Sequence, residues 1–168
     1  MGLIANYQFI SDEKLEELKN LDTQDDEFFE IIEEENEEAE ILLDIDKMWD
    51  TLHFVLTGVG SDKPIENNPL SEAIVGVTTI EGIEEFVAYT KKGEIAKIIK
   101  ALNDFDMESA MEKFDMQKCK KADLYPDIWD YEDEVDEIKE ELLDYFENMK
   151  DFYNEVLENN GNVLVTIY

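Results

Sequence analysis

Between Asp25 and Glu40 the chain carries ten acidic residues and no lysine, with only Phe28, Phe29, Ile31, Ile32 and Ala39 as apolar content. Like charges packed this densely cost stability wherever they are folded. The segment reads in two ways. Either it is a solvated helix face or partly mobile loop, or it is a surface shaped for a basic partner through Asp25, Asp26, Glu27, Glu30, Glu33, Glu34, Glu35, Glu37 and Glu38. The same bias runs through the whole chain: 45 Asp and Glu face 14 basic residues, a formal net charge of −31. All 14 basic residues are lysine. Against this, 43% of residues are hydrophobic and 11% aromatic, too apolar for a wholly disordered acidic chain. At 168 residues the chain is one domain with room for a core.

The charge is uneven. Residues 1–90 hold 24 acids and 4 lysines, residues 91–121 hold 6 and 8, and residues 122–168 hold 15 and 2. So negative a protein repels nucleic-acid phosphates and anionic membrane surfaces, which argues against both as partners. The absence of arginine removes the usual bidentate clamp for phosphates and carboxylates. The longest charge-free stretches, Met1–Ser11 and Thr51–Ser61, have 11 residues each, well short of the roughly 20 that span a bilayer. The first lacks a basic leader and is read as no signal peptide. A lone cysteine, Cys119, cannot close an internal disulfide, and the expectation is a reducing cytoplasm. Its neighbours Lys118, Lys120 and Lys121 are of the kind that lower a thiol pKa, although an inert thiol is the simpler reading.

Periodicity gives a coarse map. Leu3–Ile10 reads as a strand, with Ser11 and Asp12 starting a helix over about 12–20. A weak acidic helix follows over Glu27–Glu38, and another is capped by Asp44 or Asp46 and runs to Thr57, ended by Gly58. Pro69-Leu70-Ser71 starts a short helical turn. Val75–Ile80 and Glu85–Thr90 read as strands, and 91–103 and 107–119 as helices. The strongest helix is 131–158, where Val135, Ile138, Leu142, Phe146, Met149 and Val156 recur at three- and four-residue spacing. Val163–Tyr168 closes as a strand apolar enough for a sheet interior. The fold expected is α+β: a single compact domain over 1–168, mostly helical, with a small mixed sheet that includes the N-terminal and C-terminal strands, as monomer or dimer.

Motifs for phosphate loops, zinc or EF-hand calcium sites and serine hydrolases are missing. No catalytic residue, metal site or cofactor is assigned. One stripe stands out. At about 100° per residue, Asp46, Asp50, His53 and Thr57 share a helix face, with Trp49, Leu52 and Leu56 beside them toward the core. A carboxylate beside a histidine is a general acid/base arrangement, and Asp46, Asp50 and His53 would also offer a metal three ligands. Equally, His53 at the edge of a buried stripe would bond Asp50 or a backbone carbonyl and do no chemistry. Tyr125 and Trp129, around Pro126, either line the same pocket or staple a loop onto the helices.

The run Leu43-Asp44-Ile45-Asp46-Lys47-x-Trp49-Asp50-x-Leu52-His53-Phe54-x-Leu56-Thr57-Gly58 resembles the YfbM-like family, bacterial proteins carrying a domain of unknown function. The resemblance extends to Asn68-Pro69-Leu70-Ser71-x-Ala73-Ile74-x-Gly76, to Tyr125-Pro126, and to both ends of the chain. It implies a small single-domain cytoplasmic α/β protein with no established activity and no assigned catalytic residues. Through relatives encoded near bacterial toxin systems, it also implies an immunity-type role. The expected function is therefore a non-enzymatic acidic protein that docks on a basic protein, such as a toxin domain, and neutralises it. The alternative is a small-ligand site or enzyme built on Asp46, Trp49, Asp50 and His53.

Overall fold

The computed structural model describes residues 2–168. Strand β1 (Ala5–Ile10) leads through Ser11 into helix α1 (Asp12–Asn20), the Ser11 hydroxyl accepting from the Lys14 amide at 3.2 Å. Asp25 caps α2 (Asp26–Glu38) in the same manner. An edge strand β2 (Leu42–Asp44) precedes α3 (Trp49–Thr57), which Gly58 closes in the left-handed conformation, φ 85°. Asn68 and Pro69 start α4 (Pro69–Val75), as a capping side chain followed by proline should. The hairpin β3 (Thr78–Thr79) and β4 (Phe86–Thr90) follows, then α5 (Lys92–Asp104), α6 (Met107–Glu112) and α7 (Met116–Lys121). A 3-10 turn at Glu132–Glu134 leads into the 24-residue α8 (Val135–Glu158), and β5 (Asn162–Ile167) ends the fold.

The five strands form one sheet in the order β2-β1-β5-β4-β3. The fold is α+β, and both terminal strands lie in the sheet. β5, buried at all six positions, is its centre. Every pairing is antiparallel, where a mixed sheet was expected. Pairing direction is set by where the long helical connection through α5–α8 returns the chain to the sheet, and strand composition does not encode that.

Side-chain alternation sorts the strands onto two cores. Ala5, Tyr7, Ala88, Val163, Val165 and Ile167 face the larger one, beneath α3–α8. Ile10, Val87 and Leu164 point the other way, to Leu15 and Leu18 of α1 and Phe28 and Ile32 of α2. The acidic segment is thus an ordered helix, pinned by two fully buried side chains, with the sheet between it and the main helical layer. Gly161 enters β5 against Phe9, whose ring a Cβ at this position would strike.

Four boundaries differ from expectation. The strand read over Val75–Ile80 shrinks to Thr78–Thr79, because Val75 completes α4 and Gly76, at φ 75°, ends that helix. Asp44 and Asp46 do not cap α3: Leu42–Asp44 pairs with β1, and the Asp44 carboxylate accepts from the Asp46 amide at 2.7 Å in a turn where Asp46 has φ 49°. The 107–119 helix is two helices, because Asp115 caps a new one through the Gln117 amide. The long helix begins with the 3-10 turn. Among the described residues no helix is long and apolar enough to cross a membrane.

Candidate functional site

Helix α3 gathers three of the residues singled out by sequence and uses them to hold loops. Asp50, 9% exposed, turns its carboxylate to the segment after the helix. Oδ1 accepts from the Ser61 amide and hydroxyl, both at 2.8 Å, and Oδ2 accepts from the Tyr125 amide at 2.8 Å. One buried anion thereby ties the 58–68 loop and the 124–129 loop to α3. Trp49, one residue earlier, stacks on Tyr125 with ring centroids 5.3 Å apart and donates from Nε1 to the Leu3 carbonyl at 3.0 Å. The Tyr125 hydroxyl in turn accepts from the Leu3 amide at 2.8 Å. The Tyr125–Pro126 peptide is cis.

His53 is fully buried. Its Nδ1 lies 2.8 Å from the Val59 carbonyl and its Nε2 lies 2.7 Å from Ser71 Oγ. A carbonyl only accepts, so the network puts the proton on Nδ1 and leaves Nε2 to accept from the serine hydroxyl. Ser71 Oγ also accepts from the Ile65 amide at 3.0 Å. Burial pushes the imidazole pKa down, opposed by the Val59 hydrogen bond and by the Asp50 and Asp62 charges. A serine donating to a neutral histidine is the pairing from which nucleophiles are made. Here both residues are fully buried and the histidine is oriented by a backbone carbonyl. The arrangement locks α3, α4 and the loop between them.

The other sequence-flagged residues go elsewhere. Asp46 is off the helix, so it does not join Asp50 and His53 as a third metal ligand; among the described residues no three His, Cys, Asp or Glu side chains converge. Trp129 is a core residue, 1% exposed, donating from Nε1 to the Leu124 carbonyl at 2.9 Å with its ring edge-on to Phe114. That is the staple and not the pocket wall. Cys119 is buried, and burial raises its thiol to about 12 in spite of the neighbouring lysines. On α2, Asp25, Asp26, Glu27, Glu30, Glu33, Glu34, Glu37 and Glu38 are exposed and Glu35 half-buried, 3.5 Å from Lys14.

The latch residues border a cleft that composition did not announce. One lobe, of about 330 Å³, lies between the 58–68 loop, α4 and the β3–β4 hairpin; Ser71 is at its floor. A second, of about 470 Å³, runs past Trp49 and Phe86 to Leu3 and Tyr168. The lobes share Ser61, Val75 and Phe86. The available signal was faint: Ile65 is an isolated apolar residue in the loop before Pro69, and Val77 lies in a segment read as a strand.

Comparison with known proteins agrees with this fold. A family model described as a domain of unknown function, DUF1877, matches residues 1–166. Protein YfbM of Escherichia coli strain K12 is 31% identical over 126 residues, 74% of this chain and 75% of that protein. The crystal structure of YfbM from Escherichia coli, titled as a protein of unknown function, superposes with a TM-score of 0.81 at 27% identity, covering 98% of this chain and 99% of that one.

Proposed function

Since the chain belongs to the DUF1877 family, which prescribes no reaction, we propose that it is a non-enzymatic acidic binding protein that docks on a basic protein partner, in the manner of an immunity protein neutralising a basic toxin domain. The observation that carries this reading is the outer face of α2. Among the described residues, eight ion pairs join lysines to carboxylates, and only Lys14–Glu35 involves α2. The remaining carboxylates of that helix stand in solvent without a cation, on an element held rigid by Phe28 and Ile32. A fixed array of this sort raises association rates with a basic surface and discriminates against acidic ones. The catalytic alternative has weaker support, because His53 is fully buried and Ser71, although it borders the first lobe, has its hydroxyl engaged by His53 and the Ile65 amide.

The test is capture from the native host at low salt, followed by association kinetics with the purified partner. A single stoichiometric basic protein is expected, its on-rate falling at least about tenfold between low and high salt. The variant with Glu30, Glu33, Glu34 and Glu37 changed to Gln should associate more slowly. An on-rate indifferent to salt would overturn the proposal.

A further inference from the structure

Among the described residues, more than half of the exposed large hydrophobic side chains gather at one place on this highly charged surface. Leu3, Ile65, Val77 and Tyr168, at 47, 36, 42 and 40% exposure, are four of seven exposed large hydrophobic residues, and all four lie along the two-lobed cleft. Half-buried Trp49 and Phe86 extend the apolar wall. Its geometry is held from behind. Asp50 fixes Ser61, Ser71 fixes the Ile65 amide, and Trp49 with Tyr125 fixes Leu3. A wall restrained in this way loses little freedom when it is covered.

The rim is of one sign. Glu66 and Glu72 border the first lobe, Glu84 and Glu85 the second, and no lysine lines either. At the end of the second lobe, the Tyr168 phenol pKa is raised by burial and, after that, by the charge of Glu33 on α2. Beside the first lobe, β3 is the last strand of the sheet, and its outer edge has no neighbour among the described strands. An open strand edge accepts extended chain.

From this charge complementarity we infer that the cleft docks an extended segment of a basic protein, seating an apolar or aromatic side chain against Phe86, Ile65 and Val77 while flanking lysines or arginines meet Glu66, Glu72, Glu84 and Glu85. The inference rests on the basic-partner reading and deepens it: α2 supplies the attraction and the cleft the anchor, since buried aromatic side chains carry most of the affinity at such interfaces. A second copy of this chain is a poor occupant, because its one lysine-rich stretch, residues 91–121, is folded into α5, α6 and α7 and offers no extended segment, while the rest of the chain is acidic. An anionic lipid surface is repelled by that acidity.

The experiment is a titration of the ¹⁵N-labelled full chain at low salt with three synthetic peptides, capped Lys-Lys-Trp-Lys-Lys, Lys-Lys-Ser-Lys-Lys and Glu-Glu-Trp-Glu-Glu. The first should shift the amides of Ile65, Val77 and Phe86 saturably and bind at least about tenfold more tightly than the second, the worth of burying part of one aromatic side chain. The third should not bind. The double variant Ile65→Ser, Val77→Ser, at exposed positions that leave the core intact, should remove the tenfold preference for tryptophan. Equal binding of both lysine peptides, with shifts confined to α2, would overturn the cleft inference and leave the basic-partner reading standing. Binding of the glutamate peptide in the cleft would overturn the basic occupant. Absence of cleft shifts with any peptide overturns the inference, as would cleft shifts that follow protein concentration without peptide, which would make the occupant a second copy.

Discussion

At the scale of single residues, His53 is the group whose protonation the fold opposes. Burial lowers its pKa below the ordinary 6.5, so between the folded and unfolded values the unfolded chain binds the extra proton. The neutral imidazole therefore contributes stability that is present above about pH 6.5 and lost as the pH falls through the folded pKa. The charge it would acquire has Ser71 and the Val59 carbonyl beside it, with Asp50 and Asp62 near enough to soften the penalty but not to abolish it. The histidine is best isolated by difference. Urea midpoints of the wild type and His53→Gln, compared at about pH 7.5 and about pH 5.5, should show the wild-type advantage shrinking at the lower value. A gap that does not change with pH would mean that the imidazole is protonated equally in both states.

At the scale of elements, Asp50 is to the loops what Phe28 and Ile32 are to α2. Asp50→Ala leaves the Ser61 and Tyr125 amides without their acceptor, and should cost about 2–4 kcal/mol in denaturant unfolding. Amide exchange at Ser61 and Tyr125 should quicken more than at β5; unchanged protection there would show that the loops hold without α3. The helical pattern of this region was legible because 100° spacing sets Asp50 and His53 on one face whatever surrounds them. Their partners were not, since Ser61 is 11 residues away and Tyr125 is 75, and such meetings come from tertiary packing. The same limit explains Asp46. As a capping residue it fits the local pattern, but pairing of Leu42–Asp44 with β1 ended the strand where the helix was expected to begin. Trp129 and Tyr125 flank one proline and both act as staples, the former in the core and the latter half-buried, stacked on Trp49. α2 was legible as a weak helix over Glu27–Glu38, but its buried face was not: Phe28 and Phe29, like Ile31 and Ile32, are adjacent, and tertiary packing selects Phe28 and Ile32.

At the scale of the molecule, a net charge of −31 acts on folding as well as on binding, and the two effects separate experimentally. On α2, Glu30–Glu34 and Glu33–Glu37 are like-charge neighbours one turn apart, with Glu30–Glu33 and Glu34–Glu37 at three-residue spacing. Each such pair destabilises a helix by about 0.2–0.5 kcal/mol at low salt. Changing these four glutamates to glutamine should therefore raise stability by about 1 kcal/mol in dilute buffer, and the gain should fade as salt screens the wild type. Unfolding of both proteins across a salt series measures it. A gain independent of salt would point to helix propensity and leave repulsion out of the account. If acidity served only to keep the protein in solution, charge placed anywhere would do, and crowding it onto one docked helix would bring cost without benefit. A variant that is more stable yet slower to bind the proposed basic partner would show what the crowding is for: the repulsion tolerated along α2 would then be the same field that draws a basic surface toward it.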